Sequence, residues 1–233
     1  MNAVHFIQLR DIPLLYGRVP KVANSSIKAA LCRLLTKPKL QKKRTTSDNF
    51  WRTETEGQTR MISAYDARMC RGTHFSFSFV RNPFDRLVSA YNNKVIELDE
   101  IPGSMQKMGL RHSMSFSSFM EVVAATSDDK IDVHLLPQCR ILCLDKQLIP
   151  NFIGHLESIN EDWSALQIQL QRERLPTLGS LPKKNVRRGA DHRDVPIYFK
   201  DPALVRMATQ RYEEDLELFY GNKTYEQLIH RYQ

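Results

Sequence analysis

Two short stretches hold the residues best suited to chemistry, and both suit an anionic ligand. The first is Arg18-Val-Pro-Lys-Val-Ala-Asn-Ser-Ser-Ile-Lys28. It reads as the end of a strand, a tight polar turn and the start of a helix. A helix N-terminus presents backbone N–H groups and a partial positive charge, so it can hold a phosphate. Lys21 adds a full charge, Ser25 and Ser26 add hydroxyl donors, and the backbone of Val22, Ala23 and Asn24 lines the turn. The logic is that of a P-loop, but the Walker pattern is absent and no glycine lies between Arg18 and Leu35. The lysine also precedes the loop instead of following it, which argues against an ATPase or GTPase. Read alone, the stretch fits an ordinary strand-helix turn with a solvated lysine and a capping serine equally well.

The second is Phe79-Val-Arg-Asn-Pro-Phe-Asp-Arg-Leu-Val-Ser-Ala-Tyr-Asn-Asn-Lys94. Arg81 leaves a strand end and offers a planar donor fork suited to a phosphate. Ser89 follows two turns into the next helix. Arg86 is expected to pair with Asp85 or a nearby Glu, or to lie on the helix exterior.

These corners need elements to hold them. Ile12–Val19 reads as a short apolar strand, and Ile27–Leu35 has apolar residues at helical spacing with Ser25 or Ser26 as N-cap. Residues 36–60 are polar and read as a loop. Phe75–Val80 alternates like a strand. Pro83 opens a helix that Phe84–Glu97 continues. Residues 98–115 read as loop, Phe116–Ala125 as helix, Asn151–Glu157 as a third strand, and Asn160 to about Arg172 as helix. The stretch 175–196 is rich in proline and basic residues and reads as loop. One long helix is expected from Pro202 to about Tyr220, and a short one from Tyr225 to Tyr232. Strand-helix alternation predicts an α/β fold with a central parallel sheet flanked by helices. Ligands in such sheets bind at the carboxyl ends of the strands. The chain, 233 residues long, is expected to form a single domain, 1–233.

The composition is that of an ordinary globular protein, 42% hydrophobic and 26% charged. The 34 Lys and Arg outnumber 26 Asp and Glu, a formal +8 that suits an anionic partner without choosing one. A nucleic-acid binder would need a basic face with exposed aromatics, and no recognised module is present, so no nucleic acid is expected. No apolar run reaches membrane-spanning length, and Met1–Arg10 lacks the pattern of a secretory signal. Cys32, Cys70, Cys139 and Cys143 are too sparse for a disulfide framework and complete no metal site. Reduced thiols and a cytoplasmic location are expected, or the Golgi lumen if an anchor precedes this stretch. Oligomeric state is not legible.

Together the two corners resemble the PAPS-dependent sulfotransferases (PAPS is 3′-phosphoadenosine 5′-phosphosulfate), specifically the Golgi-type carbohydrate sulfotransferases of the chondroitin, dermatan and HNK-1 type. That group carries P-K-V-A-x-S/T-x-x-K and R-N-P-F-x-R-L-V-S-A-Y segments. Pro20–Lys28 and Arg81–Tyr91 match them, with Asn24 where those enzymes usually have Cys. Weaker similarity continues at Asp132-Val-His-Leu-Leu-Pro-Gln138, with Leu135 in place of Trp, at Phe152–Asp162, and at Lys184-Asn-Val-Arg-Arg188. The resemblance implies a P-loop-like sulfotransferase fold. It implies PAPS as donor, leaving as the 3′,5′-bisphosphate PAP, and a hydroxyl of a carbohydrate as acceptor. It also implies a 5′ site at Lys21, Val22, Ala23, Asn24, Ser25 and Ser26, a 3′-phosphate site at Arg81 and Ser89, and a late basic loop with Arg187 and Arg188. A nucleotide kinase, or an inactive nucleotide- or glycan-binding protein of the same fold, remain the rival readings.

Sulfonate transfer by in-line attack needs a donor at the leaving oxygen, for which Lys21 is the candidate. A sulfonate carries less charge than a phosphoryl group, so no metal is expected. The acceptor hydroxyl needs a general base. His134 is the first candidate, with Asp132 able to fix its tautomer if the loop folds back. His74 lies before the strand that leads to Arg81, His155 reads as structural, and Glu54 or Glu56 offers a carboxylate alternative. Lys183, Lys184, Arg187 and Arg188 read either as a clamp on an anion or as a solvated basic loop. Trp51, in a polar stretch, could stack on a sugar ring, whereas Trp163 reads as core.

Overall fold

The structure is a computed structural model that describes residues 4–36, 46–184 and 195–229. The chain divides into two compact units, Met1–Val80 with Ile141–Val186, and Arg81–Arg140 with Arg187–Gln233. In chain order the strands are β1 (Val4–Leu9), β2 (Leu14–Gly17), β3 (Thr59–Ser63), β4 (Phe75–Val80), β5 (Cys143–Leu144), β6 (Gln147–Leu148) and β7 (Phe152–His155). The α-helices are α1 (Asn24–Leu31), α2 (Ala64–Met69), α3 (Pro83–Tyr91), α4 (Gly103–Lys107), α5 (Phe116–Ala125), α6 (Gln138–Leu142), α7 (Ile159–Arg172), α8 (Val195–Tyr198), α9 (Pro202–Arg211), α10 (Glu213–Tyr220) and α11 (Tyr225–Ile229).

The first unit is built on a five-stranded sheet in the order β3-β1-β2-β4-β7. β2, β4 and β7 run parallel. The expected all-parallel sheet is corrected by β1, which is antiparallel to both β2 and β3. Residues 10–13 are too few for a crossover, so β1 can pair with β2 only by folding back. β1 escapes the alternation test because its last four residues, including Gln8, are buried on both faces. β2 is fully buried and shorter than the expected strand 12–19. β3 closes the edge of the polar stretch expected to be loop throughout, and Phe50–Glu54 forms one wide helical turn there.

At the other edge, a Cβ on Gly154 would stand 2.3 Å from the Phe79 ring. Only glycine lets that ring lie across β7, where it meets Phe152 and Trp163 with centroids 6.2 and 5.9 Å away. Trp163 is core, as expected, and its indole donates to the Gly179 carbonyl at 2.8 Å. Trp51 is wholly buried and packs edge-on against Phe50, so the expected sugar-stacking role is corrected.

The second unit is helical. Its core gathers aromatic rings from α3, α5, α8 and α11: Phe84, Tyr91, Phe116, Phe119, Tyr198 and Tyr225. α4 interrupts the stretch 98–115 that reads as loop. The expected single helix from Pro202 to Tyr220 is two, α9 and α10, broken at Tyr212. The Tyr212 side chain is buried and its hydroxyl donates to the Leu135 carbonyl at 2.6 Å, which holds the break.

His5 on β1 gives the first unit a pH dependence. Burial and then the Arg18 charge hold its imidazole down at about 4. The unfolded chain takes up that proton near the ordinary value of about 6.5 while the folded chain does not, so stability falls as pH drops from about 6.5 to about 4. The loss should reach at most about 3 kcal/mol. His5→Gln should flatten that part of the curve, measured by urea denaturation at neutral pH and near pH 4.5. An unchanged slope would assign the dependence to other groups.

Candidate active site

In the first unit, β2 ends at Gly17 and the chain turns through residues 18–23 into α1. Lys21 and Ala23 adopt left-handed backbone, with φ of 68° and 44°. Residues with a Cβ pay on the order of 1 kcal/mol or more for that conformation. These two residues supply the bends that glycines supply in a Walker loop, which is how the turn forms without one. The N-cap of α1 is Ala23, and no side chain caps the helix. The expected Ser25 or Ser26 cap is therefore corrected: both lie inside the first turn of α1, where Ser26 N–H and Ile27 N–H bond to the Ala23 carbonyl at 2.9 and 3.0 Å. A helix start without a capping oxygen keeps its dipole available to an anion.

The remaining turn residues are placed around that start. Val22 is buried, whereas Lys21, Ala23, Asn24 and Ser25 are half-buried. Asn24 Oδ1 accepts from the buried Tyr16 hydroxyl at 3.2 Å. Ser26 is buried, and its Oγ accepts from Lys184 N–H at 3.1 Å. That bond brings the exposed Lys183 and Lys184 alongside the turn. Arg187 and Arg188 lie outside the described residues.

Buried cations flank the turn, Arg18 at its start and Lys28 within α1. Arg18 donates to Asp48 at 2.9 Å, and Lys28 donates to the other oxygen of Asp48 and to the Thr46 carbonyl, the latter at 3.2 Å. Burial lowers the pKa of both cations. Burial alone would raise the Asp48 carboxyl, but the Arg18 and Lys28 charges outweigh it and leave it below the usual range.

In the second unit, Arg81 precedes α3. Asn82 caps that helix by accepting from Phe84 N–H at 3.0 Å, and Pro83 occupies its first position. Arg81 is half-buried, with its guanidinium 3.9 Å from Asp85 one turn on. Its backbone is gripped by Gln138, which accepts from Arg81 N–H at 2.9 Å and donates to the Arg81 carbonyl at 2.8 Å. Gln138 is fixed in turn by the buried Asp215, which accepts from Gln138 N–H at 2.8 Å and Cys139 N–H at 2.7 Å. Ser89 is half-buried on α3. Arg86 corrects the exterior reading: it is buried and donates to the Leu136 and Val133 carbonyls at 2.8 and 3.3 Å. Arg86 thereby docks the segment carrying His134 onto the helix that carries Ser89.

His134 meets Asp132 as the folded-back loop requires. Its Nδ1 lies 2.7 Å from Asp132 Oδ1, and its backbone N–H donates to the same oxygen at 2.8 Å. Ser104 donates to the other carboxylate oxygen. Burial would raise the Asp132 carboxyl, but the bonds from His134 and Ser104 prevail and hold it at about 2. An ionised Asp132 makes Nδ1 the protonated nitrogen and turns Nε2 into the acceptor.

The other candidate bases are differently engaged. His74 contacts Gln8 and Thr73, both at 3.0 Å, and burial lowers its pKa. His155 Nδ1 lies 3.4 Å from Asp162. Glu54 accepts from Asn49 at 2.8 Å, and Glu56 sits at a left-handed turn.

Asp215, Ser104 and Asp48 escape sequence reading. Asp215 had one signal: it falls on the buried face of α10 beside Leu216, three residues after Tyr212, where an acid needs a partner. Asp215→Ala would strand two buried N–H groups and lower stability by about 2–4 kcal/mol. Asp215→Asn, keeping one acceptor oxygen, should lose less. Thermal denaturation of both variants checks the ordering.

Among the described residues, no group of three or more His, Cys, Asp or Glu is arranged to hold a metal ion, and no helix is long and apolar enough to cross a membrane. A mixed five-stranded sheet flanked by helices, with an uncapped strand-to-helix corner after β2, is an α/β fold. The model of the Sulfotransferase family matches residues 4–221, and the chain belongs to that family as a sulfotransferase enzyme. Neither curated proteins nor solved structures returned a match.

Proposed function

We propose that this sulfotransferase takes its sulfonate from PAPS and passes it to a hydroxyl of a carbohydrate. The observation that carries the donor is the glycine-free corner at Lys21–Ser26, bent by two strained left-handed residues into an uncapped helix start. Strain of that kind persists where the surroundings enforce it, and it clusters at ligand clamps. Each corner by itself suits an anionic group: a helix start, a lysine and serine hydroxyls at the first, and an arginine fork at the second.

Bound PAPS supplies an activated sulfonate with a phosphate leaving group. The chain's own residues do the remainder. Lys21, with the turn backbone of Val22, Ala23 and Asn24 and the hydroxyls of Ser25 and Ser26, holds the 5′ end and meets the charge that builds on the bridging oxygen. Arg81 and Ser89 hold the 3′-phosphate, with Gln138 keeping the Arg81 backbone in place. The resemblance also gives Arg187 and Arg188, outside the described residues, a role in adding positive charge for the nucleotide. His134 Nε2 takes the proton of the acceptor hydroxyl, and Asp132 steadies the imidazolium that results. The carbohydrate acceptor rests on the resemblance of the Arg81–Tyr91 segment to carbohydrate sulfotransferases. Both units are taken as one sulfotransferase domain, since the family match runs through both.

Calorimetry with PAP and with ATP tests the donor, and a screen of acceptors with labelled PAPS tests the acceptor. Tight binding of PAP over ATP, and label in a sugar, are expected. Equal affinity for the two nucleotides would sink the reading.

A further inference from the structure

We propose that Asp48 is a positioning residue for the donor turn: one carboxylate ties both ends of residues 18–28 together and holds the turn in its binding shape. The proposal rests on the reading that this turn grips the 5′ end of the donor. Asp48 lies twenty residues beyond Lys28, in a polar stretch with no sequence mark of function.

Arg18 opens the turn and is 6% exposed, while Lys28 lies on α1 beyond it and is 1% exposed. Two cations so far from water need a counter-charge close by. Among the described residues, Asp48 meets both, one oxygen to each. Its own side chain is 42% exposed, so it reaches inward from the surface to bridge them. Thr46 adds its carbonyl to the Lys28 ammonium, which seats the 46–48 segment on α1. At the opening end, the Arg18 guanidinium also reaches the Val4 carbonyl at 3.4 Å, and Arg18 N–H bonds to the His5 carbonyl at 2.9 Å, so the strap is moored to β1.

What lies between the two anchors is the strained part. Lys21 and Ala23 sit in left-handed backbone that residues with a Cβ leave when nothing holds them. Glycines would make that shape accessible without help, and this turn has none. A bridge that fixes the distance between Arg18 and Lys28 supplies the missing constraint. The charge arithmetic also favours an anion. Among the described residues, two cations bridged by one carboxylate leave an excess of one positive charge at this strap.

Other charged groups face this cluster. His5 and Arg52 lie near enough to act on it, and the Arg52 charge favours the ionised form of Asp48. The carboxylate therefore stays charged through the neutral range, which keeps the bridge ionic there.

PAP is the probe, measured by calorimetry on the full chain. Asp48→Asn should weaken PAP binding roughly tenfold or more and raise the KM for PAPS in parallel, with the acceptor KM unchanged. Amide exchange at residues 21–25 should quicken in the same variant. Asp48→Glu, which keeps the charge, should recover most of the affinity, as a role in bulk stability alone would not require. Asp48→Asn leaves two buried cations unbalanced and could fail to fold. Lys28→Met is the second variant: it leaves Arg18 and Asp48 as a neutral pair and cuts only the helix side of the strap. It too should lose PAP affinity about tenfold while staying folded. Folded Lys28→Met or Asp48→Asn protein that binds PAP like the parent would overturn the proposal. Failure of the parent itself to bind PAP would sink the donor reading instead.

Discussion

His134→Ala will lower the rate of transfer by roughly 10²–10⁴-fold, the range over which a positioned base acts. PAP affinity should stay within about twofold of the parent, because proton removal is a different task from holding the nucleotide. Asp132→Asn separates the proposed base, His134, from its support. The amide can no longer serve as an anionic acceptor for Nδ1–H, so the productive tautomer is lost to part of the population and the imidazolium loses its counter-charge. Turnover should fall by about tenfold or more, measured as the single-turnover rate. Full transfer activity in His134→Ala would move the base elsewhere, with Glu54, Glu56 and His74 next in line.

The second large effect separates the two ends of the donor. Lys21→Ala should cut turnover by about 10²–10³-fold and weaken PAP binding far less, because a donor aimed at the leaving oxygen acts on charge that develops in the transition state. Arg81→Ala should do the reverse, weakening PAP by about 10- to 100-fold through the loss of charged hydrogen bonds to phosphate. Arg81→Lys should recover little, since an ammonium does not reproduce a planar fork. Single-turnover rates set against calorimetric Kd values for the variants give the comparison. Small and equal losses at both positions would refute the division of roles.

Much of this protein is legible in its local sequence. Phe75–Val80 and Phe116–Ala125 form the strand and helix that their spacing predicts, because each carries a period on one face and a clear stop signal at its end. Pro83 marks the start of α3 for the same reason. The turn at Lys21 was visible as a polar break between apolar runs. Its left-handed residues were not, because a turn that uses Lys and Ala instead of Gly has no compositional mark.

Tertiary structure alone decided the rest. β1 joins the sheet with its inner residues buried on both faces, so no alternation betrays it. Arg86 looks like a surface residue in sequence and becomes a buried clamp on the His134 segment. Asp48 and Asp215 act on residues 20 and 77 positions away, Lys28 and Gln138, and such pairings depend on which segments the fold brings together. Periodicity and capping are properties of neighbours along the chain, and the sequence by itself determined those elements and the two anion-seeking corners. Burial of a charge and the choice of its partner depend on distant segments closing around it, and these decided what holds the corners in shape.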